Sequence, residues 1–405
     1  MKNALLLALV LAGCFPTRSQ ELTCDVTADC DDGRVCESGF CVATPSNDAG
    51  VDPDSTAEPD GPPAFDCTPF TTKFFVGCDL PEPTGSIDIT TAATYNTDTG
   101  TLSTGGPVPS INVAAGHVIS VQSFRIAGGA TLRVTGSKPL VIASWSTVVV
   151  DGAIDVSSNA TELGAGANPA ECSTHAAVAG QAEANGGGGG GGGSMIGVGG
   201  RGGNGDDNSA GGAGGTALAT PPLLLGGCAG AAGGNGRQPA GAGGAGGGAV
   251  ALAALESITV TGSINAGGAG GLGAVGENGG GGGGGSGGMI ALESAAVTVS
   301  GTLAANGGGG GGGSTDNNNA TGSPGQPGQL SATRATGGPG NNNGGGDGGL
   351  GGAGATATAV GGPGQNGGDD AGGGGGGSCG FVVVASTAAA TLGGTISPVA
   401  TQVPR

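Results

Sequence analysis

The side chains that usually build a folded interior are scarce in this chain. Aromatic residues are 2% of the 405, with one Trp and one Tyr, and charged residues are 10%. Lys and Arg number 11 against 30 Asp plus Glu, a net charge of −19. So few cations cannot form a basic patch, which argues against nucleic acid as a partner. The carboxylates are spread along the chain, so their charge reads as solubility. Gly-Lys-Ser/Thr is absent, so there is no P-loop. After the first apolar stretch no second long apolar run occurs, so the body carries no membrane span. What fills the space instead is glycine, 100 residues of it.

The N-terminus has a positive Lys2, an apolar run Ala4–Ala12 and the sequence Leu11-Ala12-Gly13-Cys14. This is a secretory signal, too short to span a bilayer. It resembles the lipobox of bacterial lipoproteins. The resemblance implies cleavage after Gly13, a diacylglyceryl thioether on Cys14 and an acylated amine. Several acyl chains hold a protein durably on a membrane. Phe15 stands where an inner-membrane retention aspartate would be, which points to the outer membrane. The expected location is the cell envelope, facing the surface or the periplasm, with the membrane as partner through the lipid.

Ten cysteines fit an oxidising compartment. Lipidation of Cys14 would leave nine, so at least one stays unpaired within the chain. Cys24, Cys30, Cys36 and Cys41 fall in a stretch too short to bury a core, and two disulfides are expected to staple it. Three pairings are possible. The spacing resembles small Cys-rich modules of myxobacterial surface proteins. Zinc is disfavoured because the CxxC knuckle is missing and no histidine is near. Cys67 and Cys78 read as a local pair. Cys172 and Cys228 are candidates for another, which would leave Cys379 as the odd thiol. The stretch 43–66 is rich in Pro, Asp and Ser and reads as a disordered spacer. The expected division is therefore signal 1–13, anchor segment 14–23, Cys-rich module 24–42, linker 43–66 and body 67–405.

Within the body one pattern occurs four times, at 139–156, 249–266, 289–305 and 381–398. Two alternating apolar residues come first: Leu140 and Ile142, Val250 and Leu252, Ile290 and Leu292, Val382 and Val384. An Ala/Ser-rich corner follows. Two more apolar positions come next: Val148 and Val150, Ile258 and Val260, Val297 and Val299, Ala390 and Leu392. Then stands a glycine (Gly152, Gly262, Gly301, Gly394), and last Ile154, Ile264, Leu303 or Ile396. Alternation at period two means short half-buried strands. The glycine reads as a positive-φ turn or a tight corner. One copy cannot bury its apolar face; stacked copies can. The predicted fold is mainly β, a right-handed parallel β-helix. The segments at 110–113, 117–126 and 130–136 are expected to add one to three earlier coils. Pro398 and Pro404 suit a blunted last rung.

Between copies lie glycine-rich inserts at about 157–248, 267–288 and 306–380. They contain four runs, 186–193, 279–285, 307–313 and 372–377, each closed by serine. Ordering glycine costs about 1–2 kcal/mol per residue with no side chain to offset it. Backbone hydrogen bonds and close packing could do so if the runs form polyglycine II, an extended helix with three residues per turn. Ser286 and Ser378 each precede the first core residue of a coil by four positions, so those two runs are expected to pack beside the β-helix. Ser194 and Ser314 lack that relation, and their runs are expected in long loops. This layer resembles the glycine-rich sandwiches of some phage tail adhesins and the glycine-rich antifreeze proteins. In composition it is also similar to mycobacterial PE-PGRS surface proteins.

Chemistry is sparse. Gly202–Asp207 matches the start of a calcium nonapeptide, but Ser209 stands where an apolar residue should follow and no tandem copy exists. Asp29, Asp31 and Asp32 are a second weak calcium candidate. His117 reads as a surface or turn residue, and His175 lies in a loop. Of the coil carboxylates Asp151, Asp155, Glu256 and Glu293, only the last two could stack at one corner as an acid/base pair. No catalytic residue, metal ligand or cofactor is assigned. The expected function is a lipid-anchored surface protein with a structural or adhesive role, in contact with surface glycans or other surface proteins. The alternatives are a surface glycan-active enzyme and an ice-binding protein.

Overall fold

The computed structural model describes residues 34–37, 40–43 and 65–405, apart from 220–222, 317–320, 342–343, 355–360 and 369. The chain divides into two units, Met1–Ala64 and Phe65–Arg405. In the first, β1 (Arg34–Glu37) pairs antiparallel with β2 (Phe40–Ala43), setting Cys36 across from Cys41. Cys36 is disulfide-bonded. The signal, Cys14, Cys24, Cys30, Asp29, Asp31, Asp32 and the linker up to residue 64 lie outside the described residues.

The second unit is mainly β, with three sheets whose strands run almost wholly parallel. The chain visits the three sheets in turn. It passes through β11 (Leu140–Ser144), β12 (Thr147–Val150) and β13 (Ala153–Asp155). It repeats the circuit through β14 (Ala249–Ala254), β15 (Ser257–Val260) and β16 (Ser263–Asn265), then β17 (Met289–Ser294), β18 (Ala296–Val299) and β19 (Thr302–Ala304). The last circuit is β20 (Phe381–Ser386), β21 (Thr391–Leu392) and β22 (Thr395–Ser397). Each strand pairs with its equivalent one circuit on. Leu140, Val250, Ile290 and Val382 stand in register, as do Ile154, Ile264, Leu303 and Ile396. The apolar positions of the repeat thus stack on one another, and most are fully buried in a single core.

One earlier full circuit exists: β8 (Gly116–Val121), β9 (Phe124–Ile126) and β10 (Thr131–Thr135). Before it, β3 (Ile87–Ile89) and β4 (Ala93–Asn96) extend two of the sheets. Residues 110–113 are not a coil of the stack. They form β7 (Ser110–Val113), which runs antiparallel to β8 and covers its edge. Likewise β5 (Thr101–Leu102) and β6 (Gly106–Pro107) pair antiparallel beyond β4. Reversing strand direction ends the parallel ladder in these two sheets, leaving the short strands β7 and β6 as their edges, while β3 is the edge of the third. At the other end the chain does not stop at β22. Residues past Pro398 form β23 (Thr401–Pro404), parallel to β20, so Pro404 lies within the outermost strand rather than after it.

The corner glycines serve close approach rather than unusual φ. None of Gly152, Gly262, Gly301 and Gly394 has positive φ. A Cβ on Gly262 would instead collide with the carbonyl of Gly152, one on Gly301 with that of Gly262, and one on Gly394 with that of Gly301. The three-strand turn is tight enough that each corner rests on the backbone of the one before.

The sheet containing β11, β14, β17 and β20 is buried on both faces, as parallel sheets usually are. Leu140, Ile142, Val250 and Leu252 face the coil interior. Val141, Ala143, Ala251 and Ala291 face a second cluster with Phe70, Phe75, Trp145 and Met195. Phe70 and Phe75 meet edge to face at 5.0 Å, and Trp145 packs on Phe70 at 4.9 Å while its Nε1 donates to Ser120 Oγ at 2.9 Å. The loop holding Phe70 and Phe75 is closed by the Cys67–Cys78 disulfide. Leu252→Ala should lower stability by roughly 2–5 kcal/mol, the usual cost of such a core truncation, read by urea unfolding followed through the single Trp.

Candidate functional site: the glycine layer

The inserts leave the stack after β13, β16 and β19 and return to it at β14, β17 and β20. Hydrogen bonding continues from strand to insert without a break. Val156 N–H donates to Asn265 O at 2.8 Å, and Ser158 N–H to Gly267 O at 2.9 Å. Ala266 N–H donates to Ala304 O at 2.7 Å, and Gly268 N–H to Asn306 O at 2.9 Å.

Beyond this point the bonds follow a three-residue rhythm. In the run 187–193, Gly188 and Gly191 donate to Gln181 and Val178, and Gly189 and Gly192 donate to Gly203 and Gly200. Gly187, Gly190 and Gly193 donate to Asn278, Gly281 and Gly284. The carbonyls of the same run accept from Gly212 and Gly215, from Ala231 and Gly234, and from Gly372, Gly375 and Ser378. The run therefore gives to three segments and takes from three others, all at 2.7–3.0 Å.

The other three runs behave alike. The run ending at Ser286 donates to 228–234, 266–272 and 372–378, and accepts from 187–193, 241–247 and 308–314. The run ending at Ser314 donates to 279–285, 323–326 and 346–352, and accepts from 268–274, 338–341 and 371–377. The run ending at Ser378 donates to 187–193, 308–314 and 362–365, and accepts from 200–203, 281–287 and 346–352. The four uninterrupted glycine runs are thus the four segments surrounded on every side. A segment with six neighbours has no direction left for a side chain. A Cβ on Gly190 would strike Ala231 O, on Gly191 Ala213 O and on Gly192 Gly376 O. Segments at the perimeter keep glycine where they face inward and carry other residues outward, such as Val198, Leu272 and Leu350.

The expectation that the runs ending at Ser194 and Ser314 lie in loops is therefore corrected: both are interior. All four closing serines are fully buried. Ser286 Oγ accepts from Cys228 N–H at 2.8 Å, Ser314 Oγ from Gly279 N–H at 2.9 Å and Ser378 Oγ from Met195 N–H at 2.9 Å, while Ser194 Oγ donates to His175 O at 3.2 Å. Serine is a small hydroxyl that ends a run by satisfying a neighbour's backbone. Sequence missed this because the partners are 19 to 183 residues away.

Cys172 and Cys228 form a disulfide spanning 56 residues of the first insert. Cys379 is free and buried, with burial pushing its thiol up to about 12. His175 Nδ1 lies 3.0 Å from Thr216 Oγ1 on the surface of the layer. Asp206 and Asp207 stand in a turn at 206–208, and among the described residues no three His, Cys, Asp or Glu are grouped to hold a metal ion.

His117 is not a surface residue. It is 5% exposed, with Tyr95 Oη 2.7 Å from Nε2 and Asn112 Oδ1 3.0 Å from Nδ1. Asn112 lies opposite it in the β7–β8 pair, so the imidazole ties the covering strand to the stack. Burial lowers its pKa, and Lys138 adds to this while Asp98 opposes it. Burial likewise pushes Tyr95 up to about 12.

Glu256 and Glu293 do not pair. Glu256 is exposed at its corner, whereas Glu293 is buried in register with Ala253 and accepts from Lys73 N–H at 3.1 Å. Burial raises its pKa. Asp151 and Asp155 are engaged by Arg125 and Arg133, at 3.3 and 3.2 Å. Compared with known proteins, the chain matches no family model, no curated protein and no solved structure.

Two outcomes follow. The fold favours neutral His117, so the unfolded chain binds more protons, and stability should fall as pH drops below about 6.5 until His117 is charged in both states. His117→Gln should flatten that part of a urea-unfolding series between pH 7.5 and 5. Separately, Gly190→Val should destabilise the layer by at least about 1–3 kcal/mol through overpacking. Ala232→Val, at an exposed position of the perimeter, should be near neutral. Amide hydrogen exchange across 187–193 distinguishes the two.

Proposed function

We propose that this chain is a lipid-anchored cell-surface protein with a structural or adhesive role. In this reading the three-sheet stack is a right-handed parallel β-helix, and the glycine segments are polyglycine II helices packed as a layer beside it. The observation that carries the reading is the set of four glycine runs hydrogen-bonded on all sides. Such a layer is a rigid plate made of backbone, and rigidity without large side chains suits a spacer or a presenting surface. The chain turns at the end of the layer away from the stack gather together, since Asn278 O takes Gly187 N–H, Ser314 O takes Ala371 N–H and Gly186 O takes Ser209 Oγ–H. They carry Glu183, Asp206, Glu277 and Asp316, giving a polar far end suited to contact with other surface components. The Leu-Ala-Gly-Cys motif ending at Cys14 supports attachment through lipid, and the linker 43–66 supports a body held away from the bilayer.

Metabolic labelling with an alkyne fatty acid tests the anchor. The intact protein should be labelled and fractionate with membranes, and Cys14→Ser should lose both properties. Labelling that survives in Cys14→Ser would remove the anchor from this reading.

A further inference from the structure

The layer has one position only partly filled. Residues 156–158 run beside the outer segments 240–246 and 267–273 for a single turn. Ser158 N–H donates to Gly267 O at 2.9 Å and Ser158 Oγ donates to Gly246 O at 2.6 Å. The chain then turns away at Asn159. Stepping outward by three residues along both outer segments leads to Gly270 and Gly243, then to Gly273 and Ala240. Among the described residues, no N–H or O–H donates to the carbonyls of these four. The N–H groups of Gly243, Gly270 and Gly273 are equally unpaired. A groove of about 190 Å³ lies here, between Ala242, Ala245, Gly270 and Leu272 on the floor and Asn159 and Leu163 on the wall. Two other perimeter segments, 322–328 and 361–365, carry Pro324, Pro327 and Pro363 at outward positions, which have no N–H to offer.

We propose that this groove binds an extended glycine-rich peptide of another polypeptide, with glycine at every third residue. The peptide would continue the path that 156–158 begin, hydrogen-bonding at three-residue intervals to Gly243 and Gly270. Glycine suits the positions where the guest faces the floor, because a Cβ between neighbouring backbones in the layer collides with a carbonyl; Ser158, at the start of the path, keeps its small side chain there by donating Oγ to Gly246 O. The wall at 159–163 admits one extended strand and obstructs a second whole layer. The proposal rests on the polyglycine II reading of the inserts.

The test is fluorescence anisotropy with the full chain and a labelled peptide Gly-Ala-Gly-Gly-Ala-Gly-Gly-Gly. Saturable binding is expected. The same peptide with Val at its third, fourth, sixth and seventh positions, which leaves no register with glycine at every third residue, should bind at least about ten-fold more weakly. Ala242→Trp, which fills the groove, should weaken binding about ten-fold or more. Ala232→Trp, on another outer segment, should stay within about two-fold. Absence of saturation, equal binding of the two peptides, or equal loss in the two variants would each overturn the proposal. Hydrogen exchange on the same samples separates the causes. Protected amides at 187–193 without peptide binding reject the groove alone, whereas unprotected amides reject the layer as well.

Discussion

Everything in the second unit depends on backbones hydrogen-bonding directly to backbones with nothing between them. In the strand stack this is the parallel ladder, and apolar side chains point into the coil to stabilise it. In the inserts the same bonds continue from Val156, Ala266 and their neighbours into segments that have almost no side chains. A glycine there has lost its conformational freedom with no hydrophobic burial in return. Close packing and complete backbone pairing must offset that loss together, which is why a single partner would not suffice. The four longest runs are the ones with donors used in three directions and acceptors in three more.

The stack and the layer support one another. Each insert begins and ends on strands already held in register by their core residues, so the layer inherits its alignment from Leu140, Val250, Ile290 and Val382. In return the inserts bring Met195 and Leu224 onto the outer face of the sheet, covering Val141 and Ala251. The same face is covered by the ring cluster of Phe70, Phe75 and Trp145. A chain with few aromatics has placed several of them where two layers meet.

Much of this was legible in the sequence, and the rest failed for identifiable reasons. The apolar positions of the repeat could be aligned because strand alternation is local, and they stack as aligned. The corner glycines read as positive-φ turns or tight corners; they are tight corners, and the clash with the preceding coil that demands glycine is invisible in one copy. The runs ending at Ser194 and Ser314 looked like loops because their neighbours are distant in sequence. His117 looked exposed because its partners come from other strands, Tyr95 from β4 and Asn112 from β7 where it folds back onto β8. Residues 110–113 alternate like a coil strand, yet alternation carries no information on strand direction.

The uniform runs raise a problem of registry. An all-glycine segment shifted by three residues would form the same bonds to the same neighbours, so its interior cannot tell the two alignments apart. Discrimination falls to the ends. Asn306 at one end of its run reaches the carbonyls of Gln329 and Ser331, and Ser314 at the other meets Gly279. A slip would bury Asn306 or Ser314 without those partners, which is costly for a polar group away from water. Asn306 and Ser314 thus act as end stops for a segment that could otherwise slide, and the seven glycines between them set its length in the layer.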